Sequence, residues 1–88
     1  MPASNTHAVL SVKVFSPSLT YFDGEAARLS ATNNTGDFDI LPLHHKFISL
    51  LQEGTVRITT PKNKEVLVKI KNGLLHVENN QVKVFLDV

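Results

Sequence analysis

Asp37, Asp39, His44 and His45 fall within one short segment. Carboxylate oxygens and imidazole nitrogens serve both as metal ligands and as proton carriers, so the segment invites a catalytic or metal-binding reading. The spacing matches no strong zinc pattern, and residues 44 and 45 point to opposite faces in an extended chain. No serine or cysteine nucleophile is visibly coupled to these groups, and the sequence holds no phosphate-cradling glycine loop. The expectation is therefore a loop, Thr35 to His45, that neither catalyses nor holds a metal, cofactor or small molecule. Gly36 permits a left-handed turn, Pro42 fixes the chain direction, and His44 reads as a brace that hydrogen-bonds backbone beneath the loop.

The elements around this loop follow a period of two. Leu10, Val12 and Val14 alternate with Val9, Ser11 and Lys13, giving a first strand that Pro17 stops. Tyr21 and Phe22 open a second strand, long and bent, with a turn or bulge at Asp23-Gly24. Ala27, Leu29 and Ala31 continue on one face until Asn33-Asn34-Thr35-Gly36 breaks it. Val56 and Ile58, then Val66, Val68 and Ile70, flank the polar link Thr60 to Lys64, which reads as a hairpin. A two-residue loop at Asn79-Asn80 places Val77 opposite Val82 and Leu75 opposite Val84, so all four share one face. Leu43 to Leu51 offers one turn or a strand entry, and no helical period of useful length appears. Several short alternating strands with polar turns predict an all-β fold, a small flattened antiparallel sandwich of about eight to ten strands.

Composition narrows the function. The chain of 88 residues is one small domain, and without cysteine it has no disulfide framework and no thiolate chemistry. Nine basic and eight acidic side chains nearly cancel, so no strong field draws it to nucleic acid or anionic lipid. Lys62, Lys64, Lys69, Lys71 and Lys83 could form a weak basic stripe, but they lack interleaved aromatics and read as solvated strand faces. Residues 1 to 7 read as a polar lead-in rather than a signal peptide, and no apolar run approaches a membrane span. Any link to a membrane is expected to run through another protein.

Order and spacing then point to a family. Ser16-Pro17, Phe22 to Glu25, Gly36 to His44 and Leu51 to Val56 stand in the order of an extended strand ending in Ser/Thr-Pro, Phe-x-Gly-Glu, Gly-x-x-Gly-Ile/Val-Leu-Pro-x-His and Leu-x-x-Gly-x-Val. The segment Ile70 to Val84 follows where a Gly-Gly-Phe/Ile-x-Glu-Val step and a hairpin are expected. The chain in this respect resembles the amino-terminal β-sandwich of the epsilon subunit of F-type ATP synthases, called delta in mitochondria.

That resemblance implies a non-catalytic rotor adaptor without cofactors, carried peripherally on the cytoplasmic face of the inner (plasma) membrane as part of the synthase. One flank would pack on the gamma subunit and the bottom loop on the c-ring. It implies that Gly36, Asp37, Phe38, Asp39, Pro42 and His44 face the c-ring, and that Ser16, Phe47 and Ser49 face gamma. An exposed pair formed by Asp37 would add only about 0 to 1 kcal/mol, so affinity has to come from many contacts. Asp39 replaces the family's second glycine, which would strain the loop if that position needs a positive φ. Lys46 stands where the family has Pro, and Asn72-Gly73 replaces a Gly-Gly pair. Residues 8 to 88 are expected to form the sandwich, and the chain stops where family members continue into a carboxy-terminal helical hairpin. The matching expectation is coupling without inhibition of hydrolysis by helix extension. The rival expectation is a freestanding β-sandwich interaction module that docks on a different protein.

Overall fold

The computed structural model describes residues 8 to 86, so the expected polar lead-in over residues 1 to 7 lies outside the described residues. Nine strands follow in order: β1 Leu10–Phe15, β2 Thr20–Ala26, β3 Arg28–Asn33, β4 Gly36–Ile40, β5 Phe47–Leu51, β6 Gly54–Thr59, β7 Glu65–Ile70, β8 Gly73–Glu78 and β9 Gln81–Leu86. They form a five-stranded sheet, β2-β1-β9-β8-β5, and a four-stranded sheet, β4-β3-β6-β7. Every pairing is antiparallel except β1 with β9, which run parallel in register from Ser11 opposite Gln81 to Phe85 opposite Phe15. The all-β sandwich is thus as expected, with one parallel seam that joins the first strand to the last.

The period of two explains the layers. Leu10, Val12 and Val14 of β1, Leu75 and Val77 of β8, and Val82, Val84 and Leu86 of β9 point inward and are buried. They meet Leu29 and Ala31 of β3, Ile40 of β4, Val56 and Ile58 of β6, and Val68 and Ile70 of β7 in one apolar cluster. Interdigitated branched side chains of this kind close-pack, which resists shear between the sheets.

The turns follow their residues. Asn79 and Asn80 both take a left-handed conformation, with φ of 53° and 62°, as a primed two-residue hairpin requires. The predicted register holds, Val77 pairing with Val82 and Leu75 with Val84. The Thr60 to Lys64 link also forms its hairpin, the Lys64 amide donating to Thr60 Oγ1 at 3.1 Å with Asn63 at φ 65°. At the β3–β4 connection, Asn33 Oδ1 accepts from the Thr35 amide at 2.9 Å and from Thr35 Oγ1 at 2.6 Å, and Gly36 at φ 121° completes the reversal.

Two local expectations are corrected. Asp23 and Gly24 are regular strand residues, paired with Lys13 and Val12, and the irregularity falls instead between Val14 and Phe15. Nor is the second strand continuous. The chain leaves the five-stranded sheet after Ala26, bends at Ala27, whose amide donates to the Thr59 carbonyl at 2.7 Å, and enters the four-stranded sheet as β3. A switch of sheets is decided by distant pairing partners, so the local pattern reads as one bent strand.

Candidate functional site

The expected loop from Thr35 to His45 is largely strand. Gly36 to Ile40 form β4 at the edge of the four-stranded sheet, and only Leu41 to Lys46 remain as a connection. Gly36 and Asp37 therefore sit at one end of the sandwich, while Pro42 and His44 sit at the other. Five extended residues separate the two ends by roughly 14 Å along the strand. The six residues expected to face a ring do not form one tip.

Along β4 the side chains alternate. Phe38 turns inward, where its ring meets Phe47 edge-on with centroids 5.6 Å apart. Asp37 and Asp39 turn outward onto the face of the four-stranded sheet. There Thr32 Oγ1 donates to Asp37 Oδ1 at 2.7 Å and Ser30 Oγ donates to Asp39 Oδ1 at 2.6 Å. Each acid is bonded by its direct cross-strand partner, since Thr32 opposes Asp37 and Ser30 opposes Asp39. Arg28 and Arg57 close a shallow polar slot around them, and Arg57 Nε approaches Glu65 Oε2 at 3.8 Å. Asp39 adopts no positive φ, so the strain expected at that position does not arise.

The strain lies at Leu43 instead. The Leu41 carbonyl accepts from the His44 amide at 3.2 Å, closing a turn with Pro42 and Leu43 at its centre. Leu43 takes φ of 69°, a value that a turn of this kind usually gives to glycine. Asn80 Oδ1 of the neighbouring hairpin fixes it by accepting from the Leu43 amide at 2.7 Å. The tight turn also overturns the expectation that residues 44 and 45 point apart. The two imidazoles stack with centroids 4.4 Å apart, and His44 meets the Phe47 ring edge-on. His44 does act on backbone, but locally: its Nδ1 lies 2.8 Å from the His45 carbonyl oxygen, so that nitrogen carries the proton and donates.

The three residues expected to face gamma do not share an outward surface. Ser16 is buried at the corner after β1, its hydroxyl 3.4 Å from the Leu19 carbonyl. Phe47 and Ser49 occupy the inward side of β5, half-exposed at the sheet edge, and Ser49 Oγ accepts from Asn33 Nδ2 at 3.0 Å. Their neighbours Ile48 and Leu50 take the outward positions, 57% and 72% exposed. The lysines are divided as well: Lys69 stands on the outer face of the four-stranded sheet, Lys83 on that of the five-stranded sheet, and Lys62 and Lys64 lie at the β6–β7 turn. No single basic stripe forms from them.

Sequence reasoning overlooked an apolar row across the outer face of the five-stranded sheet. Register places Leu50 opposite Leu74, Leu74 opposite Phe85, and Phe85 opposite Phe15 on four successive strands. Phe15 and Phe85 meet edge-on at 5.4 Å, and Leu74 and Phe85 are each 41% exposed. An open depression of about 590 Å³ runs beside Leu50, Leu74 and Phe85. Contiguous exposed apolar surface is a common mark of interaction sites. The signal was present in the hairpin arithmetic, because fixing Leu75 and Val84 inward forces Leu74 and Phe85 outward, side by side. Among the described residues, no group of three or more His, Cys, Asp or Glu side chains converges as metal ligands would.

Residues 9 to 88 match the family described as ATP synthase, Delta/Epsilon chain, beta-sandwich domain. The chain is 34% identical over 82 residues to an ATP synthase epsilon chain of Neisseria meningitidis, spanning 92% of this chain and 59% of that one. It is 35% identical over 80 residues to the ATP synthase epsilon chain of a Psychrobacter species, spanning 91% and 58%. The chain thus spans about three-fifths of the length of these curated relatives. Among solved structures, its fold resembles a chain of the Euglena gracilis mitochondrial ATP synthase (OSCP/F1/c-ring), with a TM-score of 0.84, 17% identity, and coverage of 90% of this chain and 51% of that one. It also resembles a chain of the Tetrahymena thermophila mitochondrial ATP synthase central stalk and c-ring, with a TM-score of 0.75, 18% identity, and coverage of 90% and 63%. From the strand order, the turn chemistry and this match over nearly its whole length, the chain belongs to the ATP synthase delta/epsilon family as its β-sandwich domain.

Proposed function

We propose that this chain is a non-catalytic rotor element of an F-type ATP synthase, a rigid adaptor that couples the c-ring to the gamma subunit and so to the catalytic head. The observation that carries the reading is the apolar row Leu50, Leu74, Phe85 and Phe15, displayed on a close-packed sandwich and, among the described residues, exposed or half-exposed. In this reading the outer face of the five-stranded sheet packs on gamma. The contact continues around the β5 edge through Ile48 to Phe47 and Ser49. Ser16, buried at the corner after β1 and three strands away from β5, lies outside this contact. The c-ring meets an end of the sandwich. The Leu41 to His44 turn is the better fit, because it exposes Leu41 and Leu43 at a turn pinned by Asn80. Asp37, at the opposite end of β4, then lies outside that contact or reaches a second part of the ring.

No residue in this reading carries catalysis, metal or cofactor, and nucleic acid has no part in it. Membrane association runs through the complex, on the cytoplasmic face of the inner membrane.

The test is a pull-down of the chain against purified gamma subunit and c-ring from the same source, with Ile48→Arg and Leu43→Arg as variants. Capture of both partners is expected, with Ile48→Arg losing gamma alone and Leu43→Arg losing the ring alone. Capture of neither partner by the folded chain would overturn the reading in favour of a freestanding interaction module.

A further inference from the structure

Among the described residues, four that are not glycine take a left-handed backbone: Leu43, Asn63, Asn79 and Asn80. Three are asparagines, a residue type that visits this region at little cost. Leucine has no such tolerance, so the φ of 69° at Leu43 has to be held by its surroundings. Pro42 before it restricts the turn, and the His44 amide donates to the Leu41 carbonyl at 3.2 Å within it. The shorter bond comes from outside. The Leu43 amide donates to Asn80 Oδ1 at 2.7 Å, across 37 positions of sequence. Asn80 is itself anchored, because it forms the β8–β9 hairpin turn with Asn79 and its backbone carbonyl accepts from the Ser11 amide of β1 at 2.8 Å. One carboxamide thus ties the turn to the sheet.

What this tie holds in place is exposed, Leu41 by 52% and Leu43 by 67%. An apolar side chain left in water gains nothing within the chain from a fixed pose, whereas ordering its backbone costs conformational entropy. Against a partner the same rigidity is useful, because a turn already in its bound shape need not be ordered on association.

We infer that Asn80 is a positioning residue for ring docking: acting through the Leu43 amide, it holds the Leu41 to His44 turn in the one shape that seats Leu43 on an apolar surface of the c-ring. The inference rests on the reading that this turn meets the ring, and it adds what keeps the turn ready to do so. Without the bond the left-handed leucine relaxes into other backbone shapes. Affinity for the ring then falls by the fraction of chains that no longer present the docking shape. The β8–β9 hairpin needs no such help from the carboxamide, because its own register and its backbone bond to β1 remain.

The measurement is the affinity of the chain for purified c-ring and for purified gamma subunit, together with hydrogen exchange of the Leu43 amide by NMR, for four proteins: the unaltered chain, Asn80→Gly, Asn80→Asp and Leu43→Arg. Glycine after Asn79 suits a primed hairpin, so Asn80→Gly removes the carboxamide and keeps the fold, which thermal melting checks. Asn80→Asp keeps an oxygen that can accept from the Leu43 amide. Asn80→Gly is expected to weaken ring binding about five- to tenfold and to speed exchange of the Leu43 amide, with gamma binding unchanged. Asn80→Asp is expected to restore both ring binding and slow exchange. If Leu43→Arg loses the ring but Asn80→Gly binds it as the unaltered chain does, the positioning role is wrong and the ring-facing assignment of the turn stands. If neither variant changes ring binding, the turn itself is misassigned and the inference falls with it. Equal weakening of ring and gamma binding by Asn80→Gly, with a lowered melting temperature, would make Asn80 a support of the fold alone and overturn the proposal as well.

Discussion

The two outer faces of the sandwich have the same geometry and opposite chemistry. On the four-stranded sheet, Ser30 serves Asp39, Thr32 serves Asp37 and Arg57 approaches Glu65, so many polar groups are met by the chain's own neighbours. On the five-stranded sheet, Leu50, Leu74, Phe85 and Phe15 form an apolar row that is exposed or half-exposed among the described residues. A self-satisfied face gains little from a partner, because each contact must first displace a bond already made. An exposed apolar face gains when it is covered, because apolar area leaves water. The acids singled out by residue type thus lie on the face with less to gain, and the surface proposed for docking lies on the other.

This contrast can be broken in several ways. The largest effect is expected at Gly73, where an added Cβ would lie 3.1 Å from Leu86 Cδ2 and 3.2 Å from the Phe85 carbonyl oxygen. Gly73→Ala crowds β9 beneath the apolar row, so that Leu86 and the Phe85 carbonyl must give by a few tenths of an ångström, and should lower stability by about 1 to 3 kcal/mol in denaturant melts and weaken gamma binding too. Asp39→Ala removes an acceptor on the self-satisfied face. It should cost about 0.5 to 1.5 kcal/mol in the same melts and leave gamma binding unchanged, which separates the two faces cleanly. Leu43→Gly belongs to neither face and should have the opposite sign. Relief of the left-handed leucine is expected to raise stability by about 0.5 to 1 kcal/mol, seen as a higher melting temperature. The smallest effect is expected for Arg57→Gln, whose half-exposed pair with Glu65 contributes about 0 to 0.5 kcal/mol. A large loss there would show that the charged face holds the fold together more than its hydrogen bonds suggest.

How far these features could be read from the chain depends on how local their causes are. The Asn79-Asn80 hairpin was legible because turn chemistry and alternation agree, and the pairing of Val77 with Val82 follows by counting. The Thr60 to Lys64 hairpin was legible for the same reason. The sheet switch at Ala27 was not, because its cause is the pairing of Arg28 with Thr59, a residue 31 positions away. The parallel β1–β9 seam joins the two ends of the chain, and alternation carries no sign of strand direction. At the site, Asp37, Asp39, His44 and Phe47 were picked out by type, yet their faces depend on β4 being a strand, which reading the segment as a loop concealed. Leu43 escaped notice because leucine carries no signal for a left-handed turn. Pro42 before it and the Asn80 side chain across from it impose the conformation.

The most direct test uses the absence of cysteine from the chain, which makes single-cysteine variants clean probes. Leu50→Cys places a thiol on the outer face of the five-stranded sheet, and Leu67→Cys places one on that of the four-stranded sheet, at positions 72% and 56% exposed. The rate of maleimide labelling of each is measured with and without saturating gamma subunit. Gamma should strongly slow labelling at position 50 and leave position 67 unchanged. Protection at position 67 with none at position 50 would contradict the assignment of the docking face.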